Sequence, residues 1–256
     1  MTDFSGKVVF VTGATSGVGR AAAVAFARAG ARVVASARRA KEGEETLDLM
    51  HQAGGEGIFL SVDVGDGAQV SDAIRRTLSA YGRLDYAANC AGLDHNAALL
   101  DYGEADYQRI FDVNVKGLFL CLKHEIEAMA KTGGGAIVNI GSMAGQRPFA
   151  GNCLYAASKS AAAMLTLTVA LEAAALGIRV NEIAPGPVDT PMLRGYIARA
   201  GIAGGPGGAG ELAAASPLKR IGLPEDITGA ILFLCSPAAS YITGARLAID
   251  GGFRLA

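Results

Sequence analysis

Tyr155 and Lys159 stand four residues apart in the run YAASK, and Ser142 closes an apolar run thirteen residues before the tyrosine. On a helix, positions i and i+4 share a face, so the phenol and the ammonium project into the same space. A phenol titrates near pH ~10 and is a poor acid-base catalyst at neutrality. A neighbouring cation favours the phenolate and lowers that value, towards the range where proton transfer is efficient. The same pair also occurs on solvated helix faces, so its meaning rests on what surrounds it.

A second group sits at the front of the chain. An apolar run leads directly into TGATSGVG (Thr12 to Gly19), with a helix pattern starting near Val18. Glycines 13, 17 and 19 let backbone N–H groups approach a pyrophosphate, and a helix N-terminus adds positive potential. The next strand pattern ends ASARR, with Ala37 where an NAD site usually carries an acid for the ribose hydroxyls. Arg38 and Arg39 follow at once, and guanidinium forks suit a 2′-phosphate, so NADP(H) is preferred over NAD(H). Asp63 in SVDV can accept from an adenine amino group, with Val64 stacking on the ring. Asn89, Ala91 and Gly92 end the fourth strand pattern in NCAG, a small-residue turn that permits close approach to a ribose. Asn114 lies inside a long apolar helix pattern, where an amide is unfavourable unless hydrogen-bonded. It bridges backbone groups at a kink near Gly117 or anchors a water in the site, and the two roles are compatible.

The elements that must hold these residues alternate. Strand patterns fall at 7–12, 31–36, 57–62, 84–89, 135–142, 178–184 and 246–250, separated by helix-period segments near 18–29, 41–53, 67–81, 104–131, 152–176 and 225–235. Continuously apolar strands separated by helices imply a parallel sheet covered on both faces. The fold class expected is α/β, a Rossmann-type doubly wound parallel sheet of about seven strands in a single domain over 1–256. From Gly195 to Gly210, and above all in GIAGGPGGAG, glycine disfavours helix and strand. That stretch is expected to be a loop within a mobile substrate lid at about 190–215.

Composition narrows the partners. The chain has 256 residues, 51% hydrophobic, with 23 basic and 24 acidic residues and a net charge of −1. No basic stripe suggests nucleic acid. His51, His95 and His124 are scattered without metal-ligand spacing, and Cys90, Cys121, Cys153 and Cys235 lie in apolar segments without CxxC spacing. Reduced thiols fit a cytoplasmic location, and Met1 to Lys7 passes straight into a strand pattern. The uncharged stretch 227–245 contains Pro237, Tyr241 and two glycines, so it reads as a buried helix and a turn rather than a membrane span. Ser160 to Leu171, beyond the catalytic pair, carries no charge at all. A helix without a polar face must be covered all round, which points to a subunit interface.

TGATSGVG, NCAG, Asn114, Ser142, YAASK and PGPVDTP (185–191), in that order, resemble the short-chain dehydrogenase/reductase family along the whole chain, including the closing YITGARLAIDGG. Cys90, in place of the usual second Asn of NNAG, is a small departure. The resemblance implies a nicotinamide cofactor and hydride transfer to or from a small-molecule alcohol or ketone. By matching position it makes Tyr155 the general acid/base. It gives Lys159 the nicotinamide ribose and the lowering of the Tyr155 pKa, Ser142 the substrate oxygen, and Asn114 a relay water. It implies cofactor contacts from Gly13, Thr15, Ser16, Gly17, Val18 and Gly19, with Pro185, Gly186, Val188 and Thr190 around the nicotinamide. It also implies a homotetramer.

Alternatives are reduction of a 3-oxoacyl thioester, NAD-dependent oxidation of a sugar or cyclic diol, and a nucleotide-sensing scaffold without catalysis. The substrate pocket is expected among Leu93, Asp94, His95, Met143, Gln146, Phe149, Asn152, Pro187 and Met192, by proximity to the motifs alone.

Overall fold

β1 (Val8–Thr12) is buried along its whole length, with Val8 and Phe10 in one hydrophobic core and Val9 and Val11 in another. Successive side chains on a strand point to opposite faces, so such a strand needs cover on both sides. A computed structural model, describing residues 3–200 and 207–255, supplies that cover with helices. The strands that follow are β2 (Arg32–Ala37), β3 (Glu56–Ser61), β4 (Tyr86–Asn89), β5 (Gly135–Ile140), β6 (Ile178–Pro185) and β7 (Arg246–Ile249). All pair in parallel in the order β3-β2-β1-β4-β5-β6-β7. The seven strand patterns in the sequence each correspond to one of them. This is a Rossmann-like doubly wound sheet.

Helices α1 (Gly17–Arg28) and α2 (Ala40–Gln52) follow β1 and β2, and α9 (Pro224–Cys235) packs beside α1. Phe26, Ile227, Ile231 and Leu234 fill the core on that face. The opposite face is covered by α3 (Gly67–Tyr81), α5 (Gly117–Lys131) and α6 (Cys153–Ala173), which bury Ile74, Leu122, Met129 and Ala170. Burying a side chain of Phe, Leu or Ile size contributes roughly 1.5–3 kcal/mol each. Strand order reverses between β1 and β4, and a crevice opens at the C-terminal ends of strands at such a reversal.

Two departures from the sequence reading bear on the site. The segment read as one helix over 104–131 is α4 (Glu104–Phe111), a π-helical turn at Asp112–Lys116, then α5. A π turn inserts an extra residue into the helical ladder, often at functional sites, and periodicity does not reveal it. The second departure corrects the glycine-rich loop. Gly195 to Ala200 belong to α7 (Pro191–Ala200), and Gly207 to Gly210 begin α8 (Gly207–Ala215). The Thr190 hydroxyl accepts from Leu193 N–H at 3.2 Å at the start of α7, and such a cap stabilises a helix that propensity disfavours. Residues 201–206 of the lid expectation lie outside the described residues.

Candidate active site

The glycine turn after β1 is shaped by contacts that leave no room for side chains. Gly13 has φ +66, and a Cβ there would stand 2.8 Å from the Ala91 backbone; a Cβ on Gly19 would meet the Gly13 carbonyl. Gly17, at φ +53, faces Thr190, whose Cγ2 would lie 3.0 Å from a Cβ. Ser16, before the helix, makes no side-chain cap, so the first N–H groups of α1 stay available to a ligand. This is a fit for a pyrophosphate. At the far end, Arg39 donates through Nη2 to Thr15 Oγ1 at 3.0 Å and Ser16 Oγ at 3.2 Å. Arg38 is largely exposed and lies 3.8 Å from Asp63 Oδ2. Ala37 ends β2 without an acid of its own, and Arg39 Nη1 lies 3.1 Å from Glu42 Oε1.

These residues share one cavity of about 470 Å³ with Ser142, Tyr155 and Lys159. Its lining includes the glycine turn, Arg38, Arg39, Asp63, Val64, Ala91 and Gly92, and then Ser142, Tyr155, Lys159, Pro185, Gly186, Val188 and Thr190. Asn89 does not line it. Its Nδ2 donates to Glu125 Oε2 at 2.9 Å and to Asn139 Oδ1 at 3.0 Å, away from the crevice. Only the turn that follows Asn89 reaches the cavity.

Ser142 ends the β5 segment in extended conformation, its Oγ accepting from Ala144 N–H at 3.1 Å. Tyr155 and Lys159 occupy the first two turns of α6. Lys159 is 5% exposed and its Nζ donates to the Ile140 carbonyl at 2.9 Å, 5.8 Å from the centre of the Tyr155 ring. The lowering of the tyrosine pKa expected from this lysine is not what the geometry gives. Burial pushes Tyr155 up to about 12, with Ser142 pulling down and the Asp94 charge pushing further up. Burial also brings Lys159 down to about 8, opposed by the Glu182 carboxylate on β6. At neutral pH Tyr155 is therefore a neutral phenol, ready to give a proton to an oxygen that is gaining charge.

Asn114 sits in the π turn, 3% exposed. Its Oδ1 accepts from Leu93 N–H at 2.8 Å, while Nδ2 donates to the Leu93 carbonyl at 2.8 Å and Ser158 Oγ at 3.0 Å. The side chain thus bridges the Leu93 backbone to Ser158. Gly92 stands beside both groups, its Cβ position 3.5 Å from Lys159 Nζ and 3.6 Å from Asn114 Oδ1.

Of the substrate-pocket candidates, Asp94, Met143, Phe149, Asn152, Pro187 and Met192 line the cavity, whereas Leu93, His95 and Gln146 do not. His95 instead faces Asp106, with Nε2 3.7 Å from Oδ1, and stacks edge-on to Tyr102. Sequence reasoning missed Tyr196, Leu212 and Phe253, which also line it. Tyr196 and Leu212 lie on the two helices hidden by glycine content, and Phe253 belongs to a C-terminal turn with no motif to mark it.

Residues 13–254 match a family model described as enoyl-(acyl carrier protein) reductase. A crystal structure of a short-chain type dehydrogenase/reductase from Mycobacterium marinum superposes with a TM-score of 0.91 at 35% identity, covering 98% of this chain and 96% of that one. The chain belongs to the short-chain dehydrogenase/reductase family. Within that family it is 39% identical to an uncharacterized oxidoreductase of Thermotoga maritima, over 98% of both chains. It is also 35% identical to a 2,5-dichloro-2,5-cyclohexadiene-1,4-diol dehydrogenase of Sphingobium indicum, covering 97% of this chain and 96% of that protein. As a member of this family it is an oxidoreductase of the kind that uses a nicotinamide cofactor and acts on small molecules.

Proposed function

We propose that this protein transfers a hydride between NADP(H) and a secondary alcohol or ketone, using Ser142, Tyr155, Lys159 and Asn114. The observation that carries this reading is the single cavity joining the arginine end of the glycine turn to Ser142 and Tyr155. With its pyrophosphate held at the glycine turn and its nicotinamide held by Pro185, Gly186, Val188 and Thr190, the cofactor would supply or accept the hydride. Tyr155 gives its proton to the substrate oxygen in reduction and recovers it in oxidation. The Ser142 hydroxyl hydrogen-bonds the same oxygen and orients it. Lys159 holds the Ile140 carbonyl and offers its remaining N–H groups towards Gly92, where a ribose would sit. Asn114 fixes Leu93 and the turn that carries Gly92. Proton transfer by a positioned side chain contributes about 10²–10⁴-fold.

The same reading includes assembly as a homotetramer. On α6, Met164 is 62% and Leu171 82% exposed, and Phe119 on α5 is also exposed. The segment Cys153–Leu176 is apolar and long enough to cross a membrane by length and composition. Its buried Ser158, Lys159, Ala162 and Thr166 face the protein instead, so a second subunit is the fitting cover for the outer face. All four cysteines are free thiols, which suits the reducing cytoplasm.

Steady-state kinetics with NADPH and NADH test the cofactor. The wild type is expected to prefer NADPH by tenfold or more in kcat/KM, and Arg38→Asp to reverse or erase that preference. A wild type that prefers NADH, with no response to the substitution, removes the 2′-phosphate reading.

A further inference from the structure

Asn89, Asn139, Glu182 and Arg246 stand in register on β4, β5, β6 and β7, each beside the next. Partners in a parallel ladder project from the same face of the sheet. Asn139 donates to Thr166, which identifies that face as the one under α6. A charged pair therefore lies in the sheet beneath the helix that carries Tyr155 and Lys159. Glu182 is buried, and Arg246 donates through Nε to its Oε1 at 3.1 Å. The pair is packed against the turn that presents Ser142. A Cβ on Gly141 would collide with Glu182 Oε1, and a Cβ on Gly145 would stand 3.0 Å from Arg246 Nη2 and 3.0 Å from the Lys159 carbonyl carbon. Ser160 donates through Oγ to the Gly145 carbonyl at 2.9 Å, tying the same turn to α6. Ile140, whose carbonyl accepts from Lys159 Nζ, directly precedes Gly141.

Taking two ions out of water outweighs their attraction unless their remaining lone pairs and protons are satisfied. Glu182 Oε2 and Arg246 Nη2 both lack a hydrogen-bond partner among the described residues. Stability is thus a poor account of the pair. What it does supply is a fixed negative charge near Lys159. Burial drives the lysine towards the neutral amine, and the Glu182 carboxylate opposes this. The effect is mutual: burial raises the Glu182 carboxyl, while Arg246 and then Lys159 bring it back down. Two further titratable groups face Lys159, and both are neutral at physiological pH. Burial pushes Tyr155, on the same helix, and Cys90, just after β4, each up to about 12. The Asp94 charge acts on Tyr155.

Resting on the oxidoreductase reading above, we propose that Glu182, anchored by Arg246, is a positioning residue that acts on the cofactor through Lys159 and the Ser142 turn. Neither Glu182 nor Arg246 lines the cavity. Glu182 keeps Lys159 a cation from beneath. After bonding Ile140, an ammonium has two N–H groups left for a ribose, whereas a neutral amine has one. Charge-assisted hydrogen bonds are also the stronger ones. The grip on the cofactor therefore weakens as pH rises through about 8, where Lys159 loses its proton. Without the carboxylate, that loss comes at lower pH.

The test is titration of the purified protein with NADPH and with NADH, followed by nicotinamide fluorescence from pH 6 to 10. The wild type is expected to hold a constant Kd up to about pH 8 and to bind more weakly above it. Glu182→Gln keeps the size of the side chain and an acceptor for Arg246. In this variant the alkaline weakening should begin about one pH unit earlier, while Kd at pH 6 stays within about threefold of the wild type. Glu182→Gln combined with Arg246→Gln leaves no buried charge unpaired. It should move the weakening in the same direction, and it decides the question if the single variant does not fold. Arg246→Lys, which keeps a cation beside Glu182, should restore the wild-type profile. A loss of affinity equal at every pH, or an alkaline limb that is unmoved or moved upwards in the glutamine variants, makes the pair structural only and overturns the proposal. A wild type that binds neither cofactor overturns the oxidoreductase reading itself, a result distinct from an unmoved limb.

Discussion

Tyr155 combines exposure to the cleft with surroundings that favour its neutral form. Its proton is held at neutrality, and in the structure the lysine one turn away bonds to the Ile140 carbonyl instead of pulling that proton off. Ketone reduction, which needs the neutral phenol, is expected to be flat between about pH 6 and 8. Alcohol oxidation, which needs the phenolate, is expected to climb as pH rises towards the value of about 12 that burial imposes. Initial rates in both directions across this range check the asymmetry; oxidation that is independent of pH contradicts it. Tyr155→Phe should lower kcat/KM in both directions by at least about a hundredfold. Titration of that variant with NADPH, followed by nicotinamide fluorescence, should show binding preserved, because the cradle made by Gly13, Gly17 and Gly19 is untouched.

β4, β5, α5 and α6 are tied together by amide and carboxyl groups beneath the cavity. Asn89 on β4 donates to Glu125 on α5 and to Asn139 on β5, and Asn139 donates to Thr166 on α6 at 3.0 Å. Glu125 is fully buried and burial lifts its carboxyl to about 8, against the pull of the Asn89 hydrogen bond. Glu125 Oε1 and Asn89 Oδ1 both lack a partner among the described residues, and a proton on Glu125 would supply a donor within this cluster. A carboxyl whose value is raised on folding contributes stability that is fully present below its ordinary value near 4.5 and is lost as pH rises through about 8. Urea midpoints should therefore fall for the wild type between pH 5 and 8, while Glu125→Gln stays flatter and overtakes it at the alkaline end. Parallel curves for the two proteins rule this out. None of this was legible in the chain, because LKHEIEAM reads as an ordinary helix and gives no sign that its glutamate faces inward. The strands were legible, since β-branched runs buried on both faces have few alternatives. The helices α7 and α8 were not, because the Thr190 cap on α7 and the cavity-lining Tyr196 and Leu212 are tertiary features that glycine content does not reveal. For the same reason Asn89 was placed at the cofactor by its motif, whereas the strand's alternation turns its side chain into the core.

At the scale of the molecule, the outer faces of α5 and α6 present Phe119, Met164 and Leu171 to their surroundings. If copies of the chain cover them, Met164→Glu combined with Leu171→Glu should shift sedimentation from a tetramer to a smaller species and lower Tm. A wild type that sediments as a monomer, with no change in the double variant, excludes that assembly. The sheet has a further consequence for how the chain reaches this state. Every strand pair is parallel, and the central one sets Val9 against Tyr86, 77 residues further along the chain. Closing so long a segment costs chain entropy before any ladder hydrogen bond is made, and non-local pairings of this kind fold slowly. The crevice at the β1–β4 junction thus comes into being late, after β1, β2 and β3 have been able to associate. A chain stalled before that step would bare the unpaired edge of β1, one of its most apolar strands, to other stalled chains. Refolding yield should accordingly be governed by protein concentration.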